Sequence, residues 1–388
     1  MSELLNGRWS ETKEALLEGL QGTKRSVMGV TLENTRKYLS ESATAGTTSA
    51  GNVATLNRVI LPVIRRVMPT VIANELVGVQ PMTGPVGQIH TLRVRYASDA
   101  SGTPSVTAGE EALSPFKIAE QYSGNESTGK AASTASLEGA AGKKMSIQIL
   151  KQTVEAKTRK LSARWTFEAA QDAQAQQGID IEAEIMAALA QEITAEIDQE
   201  ILASLSSLAG SAVENFDQNA VSGTATFVGD EHAALAVQIN RVANLIAQRT
   251  RRGAGNWAVV SPFALTVLQS ATTSAFARTT EGTFEAPTNT KFVGTLNNAM
   301  KIYVNTYAAD TADVLVGYKG SSESDAAAFY CPYIPLMSSG VVLDPSTFEP
   351  VVSFMTRYGY VELSNTASSL GNAADYLGKV SLSNVSFK

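Results

Sequence analysis

The sequence has few of the residues that disulfide or metal chemistry needs. It contains one cysteine, Cys331, and two histidines, His90 and His232, in 388 residues. A single cysteine excludes a disulfide within the chain, and two distant histidines do not form a metal-binding motif. His90 lies in an alternating strand pattern and His232 near a helix start, which favours structural roles. We therefore expect no metal ion and no cofactor.

Long apolar runs and clustered basic charge are also missing. No stretch approaches the roughly 18 apolar residues of a membrane span, so none is expected. The formal net charge of −6 argues against a nucleic-acid-binding protein, since neutralising phosphate groups needs clustered Lys and Arg. The first 20 residues contain four Glu and no small-residue cleavage box, so we expect no secretory signal and a cytoplasmic location.

Basic residues are absent from one long stretch. Between Trp165 and Asn240 there are thirteen acidic residues and no Lys or Arg. Within this stretch apolar residues recur at every fourth position: Ile181, Ile185, Leu189, Ile193, Ile197, Ile201 and Leu205. This period predicts a helix of roughly 37 Å. The acidic residues have no basic partner one turn later, so neutralising charges are expected from elsewhere in the chain or from another subunit. A solvated acidic helix is the alternative.

Alternating apolar and polar residues predict strands on both sides of a long polar segment. Gln88–Ala97 alternates, with Arg93 and Arg95 opposite the apolar face, and period two returns at 145–149 and 161–167. Between them, residues 98–142 are rich in Ser, Gly, Ala and Thr. Because a structureless loop of this length is uncommon inside a compact domain, we expect an extended hairpin arm that lies on another surface.

The remaining regions show other patterns. The first 41 residues are mostly helical by pattern, and the Ser/Thr/Ala/Gly run from Ser40 to Asn52 predicts a flexible linker. From Gly229 the pattern is α/β, with a strand at Trp257–Val260 and a helix opened by Ser261-Pro262. Further strands are expected at 301–305, 314–318 and 328–333.

Catalytic motifs are poorly supported. Gly124-Asn-Glu-Ser-Thr-Gly129-Lys130 matches a phosphate-binding loop, but Ala131 replaces the Mg²⁺-binding hydroxyl and no apolar strand precedes it. Gly253-Ala254-Gly255 precedes a strand, where a dinucleotide fingerprint follows one. We expect no enzymatic activity. A nucleotide hydrolase that depends on Lys130 is the alternative from another functional class.

Four blocks of sequence, in collinear order, resemble the major capsid proteins of T-even-type myoviruses. They are LPVIRRVMPTVIANELVGVQPMTGPVGQIHTLRVRY (61–96), VEAKTRKLSARWTFEAAQD (154–172), RRGAGNWAVVSP (251–262), and the segment 303–360, which includes YVNTYAADTADVLVGYKG and FEPVVSFMTRYGY. Larger members of the family carry an inserted domain in the E-loop region. This chain has only the low-complexity run there, so contacts of that insertion are not carried over.

The resemblance implies an α+β chain with the Hong-Kong-97-type phage capsid fold. That fold has an N-arm, an extended E-loop hairpin, a peripheral domain with a long spine helix (here 179–208), and an axial α/β domain. The expected boundaries are an N-terminal segment 1–41, N-arm 42–85, E-loop 86–167, peripheral domain 168–228, axial domain 229–338, and a return to the peripheral domain at 339–388.

In this fold the E-loop of one subunit lies across the peripheral domain of a neighbour. Nine basic and four acidic residues lie between Lys117 and Arg164, so a basic arm would meet an acidic helix. The candidate contacts between subunits are Lys143, Lys144, Lys151, Lys157, Arg159, Lys160, Glu184, Glu192, Glu196 and Glu200.

The resemblance implies a structural protein of the virion. The chain is expected to assemble in the bacterial host cytoplasm, as hexamers and pentamers, into an icosahedral or prolate head around double-stranded DNA. Expected partners are further copies of itself and the portal, scaffold, vertex and decoration proteins. An encapsulin-like bacterial nanocompartment shell is the alternative within the same architecture.

The resemblance also suggests removal of the N-terminal segment by a prohead protease that cuts after Glu. Leu/Ile-x-Glu sites end at Glu18, Glu41 and Glu120, and only Glu41 directly precedes the expected linker. We expect cleavage after Glu41, with Glu18 as the alternative. If the segment is retained, Leu16, Leu17 and Leu20 are expected to clamp a neighbouring subunit.

Overall fold

A computed structural model describes Trp9, Lys13, Glu14, Leu17 and residues 22–44, 71–102, 105–112, 119, 121–125, 127–138, 142–177, 180–220, 228–271, 276–278, 290–297, 299–364 and 372–385. The helices are α1 (Gly22–Thr44), α2 (Ala73–Leu76), α3 (Thr134–Leu137), α4 (Phe167–Gln177), α5 (Ile181–Leu208), α6 (Val228–Thr250) and α7 (Pro262–Ser270). Within these residues no helix combines the length and apolarity that crossing a membrane requires.

The strands are β1 (Gly78–Val79), β2 (Val86–Tyr96), β3 (Met145–Glu155), β4 (Lys157–Arg164), β5 (Glu214–Asp217), β6 (Trp257–Val260), β7 (Phe276–Arg278), β8 (Thr290–Leu296), β9 (Met300–Asn305), β10 (Val314–Gly317), β11 (Ala328–Ser338), β12 (Val342–Leu343), β13 (Pro350–Glu362) and β14 (Leu377–Ser383). They form a five-stranded sheet, a seven-stranded sheet and a separate two-stranded hairpin, so the chain is α+β.

Helix α5 is the long acidic helix that the four-residue period predicts. Asp180 caps its start, since its carboxylate accepts a hydrogen bond from the Glu182 backbone N at 3.0 Å. The acidic first turn also suits the positive end of the helix dipole. The apolar stripe is buried in the main core at Leu189, Ile193, Ile197, Ile201 and Leu205.

The five-stranded sheet packs against α5. Strand β13 lies between β4 on one side and β11 with β12 on the other. Val352, Phe354 and Tyr358 on one face of β13 belong to the same core as α5. The strand pattern at 161–167 was expected in the arm, but β4 pairs with β13 and ends at Arg164, and Phe167 begins α4. The hairpin arm therefore ends at Glu155, before the expected boundary at 167.

The seven-stranded sheet has the order β5-β14-β10-β6-β9-β8-β7 and packs with α6 and α7 around a second core. Its membership differs from the expected domains. Strand β11 was expected with the axial strands but lies in the five-stranded sheet, whereas β5 and β14 lie here although both were expected in the peripheral domain. Strand patterns reveal which residues are extended but not which distant strand they pair with, because both sheets bury similar apolar faces.

The arm hairpin, defined as β2 and β3, pairs residues from Val86 opposite Glu155 to Tyr96 opposite Met145. Beyond its tip, the described part of the polar segment 98–142 is folded around Tyr96 and Tyr122, whose ring centroids lie 4.6 Å apart. Arg93, expected on a polar face, is buried, and its Nη1 makes a 2.6 Å ion pair with Glu111. The segment rich in Ser and Gly thus contains a small packed cluster, which its composition did not predict.

The N-terminal segment packs on its own chain. Leu17, Met28 and Leu32 are buried in the main core, and Asn34 Nδ2 donates hydrogen bonds to the backbone O of Met82 at 2.7 Å and of Tyr333 at 3.0 Å. Helix α1 runs to Thr44, so the first five residues of the expected linker are helical and Glu41 lies in the last turn. The remaining linker and most of the expected N-arm, together with Leu16, Glu18, Leu20 and Glu120, fall outside the described residues.

Candidate assembly surface

One face of the arm hairpin is apolar and open to solvent. Met145, Ile147 and Ile149 are 51%, 69% and 66% exposed. Because side chains alternate along a strand, these three residues share a face of β3 with Lys151, which is also exposed. We call Met145, Ile147 and Ile149 the hairpin ridge. A continuous row of exposed large apolar side chains is typical of an interaction surface.

The base of the arm hairpin is fixed on the five-stranded sheet. Val154 is buried with Met82, Phe329 and Cys331, and a Cβ added to Gly359 would lie 2.4 Å from Val154 Cγ2. Only glycine allows β3 to approach β13 this closely. Gln152 Nε2 also donates to the Glu362 backbone O at 3.2 Å. The ridge is therefore presented by a hairpin whose root is held by close packing.

Arg159 pairs with α5 of the same chain. Its Nη1 lies 2.5 Å from Glu196 Oε2 and its Nη2 lies 2.6 Å from Glu200 Oε2. Burial opposes ionisation of Glu200, but hydrogen bonds from Arg159 and Tyr358 outweigh it and lower the Glu200 pKa. Arg159, Glu196 and Glu200 were predicted to meet across subunits, and the structure brings them together within one chain. Strand β4 lies directly over α5, a juxtaposition that depends on the β4–β13 pairing.

The other predicted contact residues are distributed around the arm and α5. Lys143 is held by its own chain, with Nζ 2.8 Å from the Asp99 backbone O and 5.6 Å from the Tyr122 ring centroid. Lys157 contributes to the lowered pKa of Glu200. The five remaining contact residues are exposed and form no ion pair with another described residue: Lys144, Lys151, Lys160, Glu184 and Glu192.

A second group of exposed apolar residues, not predicted from the sequence, surrounds the turn between β12 and β13. We call it the β12 patch, and its members are Phe167, Val341, Val342, Leu343 and Phe348. Phe348 is 70% exposed, has φ of 58°, and lies 5.9 Å from the Phe167 ring. Such a backbone conformation is strained for a bulky residue. The apolar run after Gly340 is the feature of the sequence from which these exposed residues could have been predicted.

The turn is held rigidly beneath this patch. Asp344 Oδ1 accepts hydrogen bonds from Ser346 N at 2.9 Å and Ser346 Oγ at 2.7 Å, and Phe348 N donates to Asp344 O at 2.8 Å. The hydrogen bonds from Ser346 lower the pKa of the Asp344 carboxyl, so it is ionised at neutral pH. The patch therefore has a fixed negative charge beside its apolar groups.

The phosphate-loop motif forms a closed turn. Asn125 N donates to Lys130 O at 2.9 Å, Gly129 N to Asn125 O at 3.0 Å, and Ser127 N to Asn125 Oδ1 at 2.9 Å. A phosphate loop needs such amides directed at its ligand, and here they bond within the turn. His90 is exposed, and His232 is buried with Nδ1 2.5 Å from Ser270 Oγ. The described residues contain no cluster of three potential metal ligands.

Comparisons with known proteins place the chain among phage capsid proteins. Residues 53–382 match the family model described as Major capsid protein Gp23. The chain is 30% identical to the major capsid protein of Vibrio phage KVP40, over 84% of this chain and 80% of that protein. It is also 30% identical to that of Enterobacteria phage T6, over 83% of this chain and 81% of that protein. A solved chain from the capsid of Myoviridae phage XM1 aligns at a TM-score of 0.42 and 10% identity, over 79% of this chain and 88% of that one.

The family match extends from residue 53 into β14, so it includes the arm hairpin, α5 and both sheets. The two relatives cover more than four-fifths of the chain. The chain therefore belongs to the Gp23 family of major capsid proteins, the structural proteins that build the head shell of T4-like phages.

Proposed function

We propose that this capsid protein has the Hong-Kong-97-type fold and assembles as hexamers and pentamers through its arm hairpin. The hairpin ridge carries the proposal, because Ile147 and Ile149 remain about two-thirds exposed on a hairpin whose base is tightly packed. Burying large aliphatic side chains is worth about 1.5–3 kcal/mol each. In a protein that builds a shell, the available partner for this surface is a second copy of the chain.

The β12 patch is the proposed partner of the ridge on the neighbouring subunit. The ridge is flanked by Lys144 and Lys151, and the patch by Asp344 and Glu168. Arg164 also lies near Asp344, but it is paired with Glu349 at 3.7 Å. Opposite charges around an apolar contact fix its register and disfavour wrong pairings. The ridge and patch are different surfaces of one chain, so their contact is heterologous and can repeat around a ring. This geometry supports ring-shaped capsomers.

The remaining partners are proposed from family membership and charge. The shell would form in the bacterial host cytoplasm with portal and scaffold proteins and then receive vertex or decoration proteins. It would enclose double-stranded DNA without reading its sequence, since a chain of net charge −6 has little excess cation for phosphate groups.

We also propose that the chain is cleaved after Glu41. Glu41 lies in the last turn of α1, whose earlier turns pack into the main core through Met28 and Leu32. A cut there would leave the N-terminal segment bound only by noncovalent contacts, such as the packing of Met28 and Leu32 and the hydrogen bonds of Asn34, until α1 separates from β11. Intact mass of the chain from infectious virions tests this: a chain that starts at Ser42 supports cleavage, and a full-length chain rules it out.

Ile147→Glu tests the assembly surface, with Gln148→Glu as the matched control. Both changes add one negative charge at adjacent exposed positions of β3, but they lie on opposite faces. We expect only Ile147→Glu to abolish shells in electron micrographs, while circular dichroism of both variants stays like that of the unchanged protein. Shells of normal yield from Ile147→Glu would refute the role of the ridge.

A further inference from the structure

A buried carboxylate joins α5 to the segment that leads into the arm hairpin. Asp198, near the middle of α5, is fully buried, and its Oδ1 accepts a hydrogen bond from the Ile72 backbone N at 2.9 Å. Ile72 is the N-cap residue of α2 and has no capping side chain of its own. Asp198 therefore supplies, from another element, the acceptor that the start of α2 requires.

The second oxygen of Asp198 is not satisfied. Oδ2 is buried and has no hydrogen-bond partner among the described residues. The joint around it is apolar, with Ile72, Ala73, Leu76 and Ile201 all in the main core. An ionised carboxylate with one unpartnered oxygen is strongly disfavoured in such surroundings, and the usual outcome is that the group takes up a proton.

Burial raises the pKa of Asp198 to about 7, although the hydrogen bond from Ile72 acts in the opposite direction. Ionisable groups near the joint include Glu75 on α2, Lys24 on α1, Glu200 on α5, Lys301 and Tyr303 on β9, Tyr330 and Cys331 on β11, and Tyr358 on β13. Lys319 also contacts α2, since its Nζ donates to the Asn74 backbone O at 2.8 Å and pairs with Glu323. The pKa values of Glu75 and Glu200 are lowered. Burial raises those of the three tyrosines and raises that of Cys331 to about 11.

We propose that Asp198 is a proton-linked latch between α5 and the α2 segment. Below about pH 7 its carboxyl is neutral in the closed joint, and Oδ1 caps α2. When α2 moves away, water reaches the carboxyl, the O–H bond breaks, and the proton passes to solvent. The latch is a property of the single folded chain and does not depend on how subunits meet.

The sign of the pH effect follows from the raised pKa. The opened joint has an ordinary Asp, with a pKa near 3.8, so opening releases a proton wherever the closed form still holds one. The stabilisation of the closed joint is complete below the pKa of the open form and is lost as pH rises to about 7. The opening equilibrium should increase up to about tenfold per pH unit between roughly pH 4 and 7, and should level off at higher pH.

Hydrogen exchange of the full-length chain tests the latch. The amides of Ile72, Leu76 and Val77 report opening, since they donate to Asp198, to Ile72 O and to Ala73 O. After correction for intrinsic exchange, their protection should fall with rising pH and then become constant. Asp198→Asn, a neutral residue of the same shape, should remove this dependence. Asp172→Asn, the same change at an exposed position of α4, should retain it.

Equal pH dependence in Asp198→Asn and in the unchanged protein would overturn the latch. If Asp198→Asn does not fold, infrared spectroscopy of the unchanged protein decides. A neutral carboxylic acid band near pH 6 that disappears when the pH is raised well above 7 supports the proposal. Absence of this band at pH 6, where exposed carboxylates are ionised, would overturn it.

Discussion

Replacing Arg159 with Met distinguishes a role inside the chain from a role between subunits. The guanidinium makes ion pairs of 2.5 and 2.6 Å with Glu196 and Glu200, and its Nε donates to Tyr358 Oη at 2.6 Å. Methionine keeps much of the aliphatic packing and removes all three polar contacts. The structure predicts that the folded chain loses stability and that the capacity to assemble is retained.

The size of the loss follows from solvent exposure. The three ion-pair side chains are 30%, 46% and 45% exposed, so each pair is worth only about 0.2–1 kcal/mol. The hydrogen bond to Tyr358 comes from a partly exposed guanidinium, so we count it at roughly 1 kcal/mol, the value of a typical hydrogen bond. We expect Arg159→Met to lower the free energy of unfolding by about 1–3 kcal/mol.

Urea denaturation at low and high salt measures this loss, and part of it should disappear at high salt because the pairs are partly solvated. A double-mutant cycle with Glu200→Gln should give a coupling of about 0.5–1 kcal/mol. Shell yield should stay normal at a temperature where both proteins are folded. An unchanged unfolding midpoint together with lost shells would refute the reasoning and restore the contact between subunits.

Other outcomes concern packing, backbone and charge. Phe354→Ala should lower the free energy of unfolding by about 3–5 kcal/mol in urea denaturation, because Phe354 is 1% exposed in the main core. Gly340→Ala should lower the melting temperature, since Gly340 has φ of +72°, while Gly84→Ala, at ordinary φ, should not. Lys144→Glu with Lys151→Glu should slow shell formation in light scattering and weaken its salt dependence; an unchanged rate would contradict the charge match.

Local features of the fold were readable from the sequence. The spacing from Ile181 to Leu205 predicted α5, and Ser261-Pro262 predicted the start of α7, where Ser261 Oγ accepts from Ala264 N at 3.2 Å. The collinear blocks identified the capsid family, and the family match confirms both that assignment and the absence of an enzymatic role. These signals are local or depend on long stretches of similar sequence, so they can be recognised without knowing which strands pair.

Long-range pairing was the part that sequence could not supply. Arg159 and Glu200 are 41 positions apart and meet only because β4 joins β13 above α5. The β12 patch was missed because exposure of Phe348 depends on a turn held by Asp344, and an apolar residue in a strand-like segment is usually expected to be buried. In the sequence, Asp198 is only one of the acidic residues of a long helix. Its burial could not be predicted, because it depends on α2 covering it.

The order of strands in the seven-stranded sheet has a consequence for synthesis on the ribosome. Strand β14 lies between β5 and β10, and roughly 160 residues separate Asp217 from Leu377. At 5–20 residues per second, β5 waits about 10–30 s for the strand that pairs with it. During this interval Phe216, fully buried in the finished sheet, has no β14 to cover it. Completion of this sheet is therefore a late event. Nascent chains that do not yet include Leu377 are the ones most accessible to chaperones and most prone to aggregate.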